Sequence, residues 1–406
     1  MRVTNASTYR NYTTSVNNVH ANLNKSLNKI SSGREYENAA ENPTAYYRGK
    51  SIDREYQDLL SKSTLITDVK ARLELQEDGA YDIQNLLATA RKTIIKARTG
   101  TTTGTAMETL RDDLLRMEHN MVNDLQSQYQ DFYVYGGNDV STPPFSLSND
   151  GMTLTYSHVF PGEDEVTNFV MELTEQKDDQ GEGTGIYKFE LQTDATNNPN
   201  ATPERLVQAM TEQGYMDLGY GDIRDRSTLI DTYTGGLNIL TGLTSDAVIS
   251  STATFSTAPG STDYADYVNN TVMQKLTDGP LGLVAQSVMS MNNYLGQGKE
   301  TANKPDLVDD RDKLDDDFAR LMDMMETSEH TTTTVYSDLG NKYKTLEDTD
   351  TRLKNLQDSL TVQYKDILGA DPYGSILEMY NNQYAYNAAL QVGSNLMTSS
   401  LFDFVR

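Results

Sequence analysis

The chain has no cysteine and no tryptophan, and only four histidines among its 406 residues. Without Cys there is no disulfide, no thiolate-bound zinc and no thiol nucleophile. Positive charge is also scarce: 34 Lys and Arg stand against 59 Asp and Glu, a formal net charge of -25. Nucleic acid and anionic membrane surfaces are therefore excluded as expected partners, because phosphate binding needs clustered Lys and Arg. The acidity instead keeps the free chain soluble. Long apolar runs are missing too. Nothing approaches the roughly 18–20 residues of a membrane-spanning helix, and the opening "MRVTNASTYRNYTTSVNN" lacks the apolar core of a cleaved secretory signal.

Motifs that carry chemistry are equally sparse. His20, His119, His158 and His330 form no H-E-x-x-H, since His119 follows Glu118 without a second His at the required offset. "GEGTG" (181–185) and "YGGND" (135–139) lack the phosphate-loop pattern and read as turns. In the acidic run "DDRDKLDDD" (309–317), Asp310 and Asp312 fit the first two places of a calcium loop. Leu314 takes the third place and no Gly follows, so the run reads as a solvated helix face. No catalytic, cofactor-binding or metal-ligating residue is nominated, and the chain is not expected to be an enzyme.

What the sequence does contain is helical periodicity at both ends. Val16, Val19, Leu23, Leu27 and Ile30 recur at helical spacing until "SSGR" (31–34) breaks the run. This stretch holds Arg2, Arg10, Lys25 and Lys29 but no acid before Glu35, which leaves open a basic end meant for an acidic surface. Asn42 can cap a helix opened by Pro43. Beyond it Ile66, Val69, Leu73, Gln76, Ala80, Ile83, Leu87, Ala90, Ile94 and Ala97 alternate three and four apart, a heptad seam with one polar member. Thr105 with Glu108 predicts a capping box before a second seam, Met107, Leu110, Leu114, Met117 and Met121. Leu339, Leu346, Leu353, Leu360 and Ile367 fall every seventh residue in the second half, with Tyr343 and Leu356 between them. One helix over 305–368 would be about 95 Å long at 1.5 Å per residue, so a rod is expected.

Between the helical ends, from about 136 to 265, the chain is rich in Gly, Thr, Asp and Pro. Short alternating runs such as "MTLTYS" and "GIYKFEL" predict strands. Thr202 and Pro203 predict a helix over "ERLVQAM" (204–210), while "TYTGGLNILTGLTSD" (232–246) reads as strand, turn and loop. The expected architecture is mainly α. It is an elongated antiparallel helical-bundle rod built from both chain ends, with an inserted β-rich central domain. Its parts are an N-terminal helix and leading segment (1–42), two rod halves (43–135 and 264–369), the β-rich domain (136–263) and a C-terminal helix (370–406). That last helix is nearly uncharged: from Pro372 onward only Glu378, Asp403 and Arg406 carry charge. A helix apolar on nearly every face needs enclosure on all sides.

"LNKISSGREYENAAENP" (27–43) resembles the I-S-S-G-K/R segment of the flagellin superfamily. "SQYQDFYVYGGND" (127–139), "GGLNILTGLTSD" (235–246) and the closing "SLFDF" (400–404) resemble one branch of it, the hook-associated proteins of the hook–filament junction (FlgL type). The resemblance covers roughly residues 1–140 and 300–406. It implies a structural adaptor between the hook-side junction protein and the flagellin filament, forming a ring with copies of itself. It also implies terminal helices that build an inner tube and are disordered in the monomer. Export through the flagellar type III apparatus without cleavage is implied too, with a chaperone on the C-terminal segment, giving an extracellular location.

The expected assembly interface has Val16, Val19, Leu23, Leu27 and Ile30 pairing with Ile376, Tyr380, Leu390, Met397 and Leu401, with Phe402 and Phe404 alongside. The alternatives are flagellin itself, a secreted monomeric coiled-coil module and, more remotely, an enzyme within the β-rich part.

Overall fold

The computed structural model describes residues 5–99, 104–177, 183–193, 199–211, 214–217, 229–232, 235–256, 262–296 and 307–403. The chain forms two compact units, residues 65–349 and residues 1–64 with 350–406.

In the unit 65–349, helix α2 (Pro43–Ala97) runs antiparallel to α10 (Leu307–Leu368). The expected seam is what they bury: Ile66, Leu73, Ala80, Ile83, Leu87, Ala90, Ile94 and Ala97 on α2 are enclosed, as are Leu339 and Leu346 on α10. Ion pairs and amide bonds flank it, with Arg91 on Glu326 and the Gln84 amide donating to Thr333. Gln76, the polar seam member, is fully buried, and its Nε2 donates to the Val134 carbonyl.

That bond explains "YVYGG". After α3 (Gly104–Asp124) the chain makes a short hairpin of β1 (Gln128–Tyr129) and β2 (Phe132–Tyr133). It turns through Gln130 and Asp131 with left-handed φ of 49° and 69°. The following Val134 and Tyr135 then plug the back of α2. The Tyr135 hydroxyl donates to the Gln76 carbonyl at 2.9 Å. It can do so because α2 offers Gly79, where a Cβ would lie 2.1 Å from the Tyr135 oxygen.

Helix α3 buries Met107, Leu114 and Met121, whereas Leu110 and Met117 are only half-buried. It opens at Gly104, one residue ahead of the expected cap, so Thr105 already lies inside the helix. Against α3 packs α9 (Pro280–Leu295), which buries residues on nearly every face. Across α9 lies an antiparallel meander of β3 (Phe145–Leu147), β4 (Thr153–His158), β5 (Thr167–Lys177) and β6 (Gly183–Gln192). Leu154 pairs with Met171, and Met171 with Leu191. Alternate residues of β4 and β5 point inward, the period of two that a half-buried strand requires. Phe145, Tyr156, His158, Phe160 and Phe169 form a chain of ring contacts along the buried face. Helix α4 (Pro203–Thr211) is capped as expected, with the Arg205 amide donating to Thr202 Oγ1. Strands β7 (Gly214–Asp217) and β8 (Leu229–Thr232) pair with each other.

Segment 232–246 departs from its expectation. Thr232 does end a strand, but Gly236–Thr241 is a helix (α5) and Ser245–Thr252 another (α6), the latter capped by Thr244. Gly236 is required by proximity, since a Cβ there would sit 2.5 Å from the Phe145 ring. Every residue of α5 is buried, so no amphipathic stripe betrays the helix. From Asp263 a further helical stretch runs through α7 (Asp263–Tyr267), a π-turn over Val268–Val272 and α8 (Met273–Thr277).

Glu118 is the anomaly of this unit. Its side chain is fully buried against Gly151, and neither carboxyl oxygen has a partner among the described residues. Burial first, and then the nearby Asp150, raises its pKa well above the usual carboxylate range. Asp150 itself is held low, chiefly by the Ser148 hydroxyl. Of the elements packed on α3, β3 carries no ionisable side chain and α9 only Tyr294. Burial, with Asp82, pushes Asp124 at the end of α3 up to about 6.

An acid whose folded pKa is raised favours folding while protonated and costs stability as pH climbs from the unfolded value toward the folded one. Glu118→Gln is therefore expected to stabilise the protein at pH 8 by roughly 1–3 kcal/mol, with the advantage vanishing near pH 4. Thermal unfolding across pH 4–9 reads this directly; a Gln variant less stable than the parent at pH 8 would contradict it. Gly79→Ala should cost about 1–3 kcal/mol through overpacking. Tyr135→Phe in the same chain should recover part of that loss in denaturant titrations, because it removes the colliding oxygen.

Candidate assembly interface

The second unit is built from α1 (Asn5–Ser32), the first part of α2, the last part of α10 and α11 (Pro372–Asp403). Its base is a cross-connection between two chain breaks. The Glu35 amide donates to the Leu368 carbonyl at 2.8 Å, and the Ala370 amide to the Gly33 carbonyl at 3.0 Å. Gly33 adopts φ 67°, the left-handed stop expected of "SSGR". Asn42 caps α2 by accepting from the Ala45 amide, and Asp371 caps α11 by accepting from the Gly374 amide. In the same unit Ser63 donates to Asp350 at 2.7 Å, both buried, and Leu353 and Leu360 continue the heptad row inward.

Helices α1 and α11 pack together antiparallel. The inward stripe of α1 is Tyr12, Val16, Val19, Leu23, Ser26 and Lys29, and that of α11 is Ser375, Met379, Asn382, Tyr386, Ala389 and Gly393. Both step three or four residues at a time, the spacing of a two-helix seam. Close approach is possible at Ser375, Asn382, Ala389 and Gly393, the small or amide-bearing members of the α11 stripe. The Tyr12 hydroxyl donates to the Ala389 carbonyl at 2.9 Å, and a Cβ on Gly393 would lie 1.9 Å from that hydroxyl. The Asn382 amide donates to Ser26 Oγ at 2.8 Å, while His20 and Tyr386 rings meet at 5.5 Å. Lys29, only 9% exposed, reaches Glu35 at 2.8 Å and Glu378 at 3.3 Å.

Of the residues expected in the assembly interface, Val16, Val19 and Leu23 lie in the half-buried α1 stripe beside α11. Leu27 and Ile30 are exposed, as are Ile376, Tyr380 and Leu390, which lie beside the α11 seam and not in it. The reason is that a helix apolar on every face offers several stripes at helical spacing. The stripe that packs combines Ser375, Asn382, Ala389 and Gly393 with Met379 and Tyr386, while Ile376, Tyr380 and Leu390 stay outside. The signal was present as Ser375, Met379, Asn382, Tyr386, Ala389 and Gly393 at intervals of four and three. Met397, Leu401 and Phe402 lie on the described backbone of α11, but their side chains, like the whole of Phe404, are outside the described residues.

The outward surface of α11 carries large apolar and aromatic side chains among its amides. Tyr373, Tyr380 and Tyr384 are 78%, 61% and 79% exposed, and Leu377, Leu390, Val392 and Tyr9 stand beside them at 46% or more. Among the described residues no three His, Asp or Glu are grouped to hold a metal ion, and no helix is long and apolar enough to cross a membrane. What this arrangement can do is bury apolar surface against another helix.

No curated protein sequence matches the chain. Its structural neighbours include a flagellar hook-associated protein from Vibrio parahaemolyticus, with a TM-score of 0.45 at 10% identity over 81% of this chain and 100% of that one. Flagellar hook associated protein-3 from Legionella pneumophila gives 0.39 at 13% identity over 78% and 98%. FlgL from Xanthomonas campestris gives 0.29 at 13% identity over 75% and 98%. The model of the bacterial flagellin N-terminal helical region matches residues 3–128, a span that holds α1, α2, α3 and the start of the β1–β2 hairpin.

Proposed function

We propose that the chain is a structural subunit of the bacterial flagellum, a hook-associated protein that joins the hook-side junction protein to the flagellin filament. The observation that carries this reading is the outward face of the α1–α11 pair, on a chain with a flagellin-type N-terminal region. Exposed patches of that kind mark interaction surfaces. Neighbouring copies would cover the face in a ring, and Leu27, Ile30, Ile376, Tyr380 and Leu390 are the residues we assign to it.

In this reading assembly covers the outward face of the α1–α11 pair, stabilising it by apolar burial at about 25 cal/mol per Å². A chaperone shields α11 beforehand, and the chain leaves the cell through the flagellar export apparatus uncleaved. The motifs "YVYGG" and "SLFDF" favour the adaptor over flagellin, which would share the helices but polymerise without limit.

Seeded assembly followed by electron microscopy distinguishes the two. Purified protein added to hook ends bearing the adjacent junction protein is expected to form a short cap that stops growing and then accepts flagellin. Long filaments of this protein alone would make it a flagellin, and no binding would return it to a monomeric coiled-coil module. Deleting 372–406 should leave residues 65–349 folded by circular dichroism while abolishing the cap. Gly393→Ala, which drives the Tyr12 ring out of the seam, should reduce capping severalfold without that loss of structure.

A further inference from the structure

The α1–α11 seam poses a register problem. Heptad seams repeat every seven residues, so a slip of one heptad, about 10.5 Å of helix, presents a similar row of small and amide side chains. Asn382 would be replaced by Ala389, and Met379 by Tyr386. Apolar contact alone discriminates poorly between such alignments, and a single polar member commonly decides register.

We propose that Lys29, through Glu378, sets the register of α11 on α1. Helix α1 carries Arg10, Lys25 and Lys29 and no acid, whereas α11 carries Glu378 and then no other Asp, Glu, Lys or Arg until Asp403. Lys25 is engaged by Glu41 at 3.0 Å on the leading segment. Lys29 is the nearly buried member, and it touches two acids from different places. Glu35 sits on the turn whose amide is fixed to Leu368, so it reports the position of the base. Glu378 reports the position of α11. Both contacts exist together in one alignment only. Sliding α11 by a heptad in either direction removes Glu378 and sets an uncharged side chain beside a desolvated ammonium. The single acid in the first 31 residues of an otherwise uncharged helix therefore has a defined task, which holds whether or not the flagellar reading does.

The absence of native Cys makes the test clean. In the full chain, Ser26→Cys is combined with both Asn382→Cys and Ala389→Cys, so that one thiol chooses between the observed partner and one a heptad away. After equilibration in a glutathione buffer, peptide mass spectrometry gives the ratio of the two disulfides. With Lys29 and Glu378 intact, the 26–382 bond should dominate by about tenfold or more, as expected of a pair worth 1.4 kcal/mol. Glu378→Gln or Lys29→Met should each lower the ratio at least threefold. The two together should do no more than either alone, the signature of a shared interaction. An unchanged ratio, or effects that simply multiply, would overturn the assignment. So would a parent background in which neither disulfide forms, because there would be no α1–α11 pair for Lys29 to align.

Discussion

The burial of one row of aliphatic side chains along α2 is the constraint on which the rest of residues 65–349 depends. Ile66, Leu73, Ile83, Leu87 and Ile94 are each worth roughly 1.5–3 kcal/mol when enclosed. They can be enclosed only by a helix supplied from the far half of the sequence. The one polar position in the row, Gln76, is not a defect in it. Its amide and its backbone carbonyl are the points at which the Val134–Tyr135 plug attaches. The polar residue thus couples the helical seam to the loop that leads into the sheet.

The two helix pairings differ in kind. Along α2 and α10 the seam is made chiefly of Leu, Ile and Ala, and most charged side chains lie on the exposed faces. Along α1 and α11 the seam mixes Ser, Asn, Ala and Gly with Tyr, Val, Leu, Met and Lys, and several large apolar side chains point outward. The first arrangement spends its apolar surface within one chain. The second leaves large apolar side chains such as Tyr380, Tyr384 and Leu390 exposed, while hydrogen bonds and the Lys29 ion pairs run between its helices.

How far the sequence reveals this depends on whether burial is one-sided. The heptads of 66–97 and 339–360 are legible because one face is buried and the other solvated. Strands β4 and β6 are legible for the same reason at a period of two. Helix α5 is not, because all its residues are buried and the Gly pair before it looks like a turn. In α11 the difficulty is the reverse: apolar and amide side chains occur on nearly every face, so no charged opposite side marks the packing stripe. Glu118 could not be foreseen, since nothing in "LLRMEHNMV" marks a buried carboxylate. The match over 3–128 agrees with the motif at 27–43, which was readable as sequence because Gly33 and Asn42 both have backbone tasks.

The nested order of the elements has a kinetic consequence. Tyr135 meets α2 across a separation of 59 residues, whereas the Arg91–Glu326 contact spans 235. During synthesis the contact of Val134 and Tyr135 with α2 can close early, but the aliphatic row on α2 has no partner until α10 has been made. Contacts of such long range fold slowly because a large loop must close before they are rewarded. For that interval the nascent chain carries an open heptad face, and two nascent chains side by side present each other with the same one.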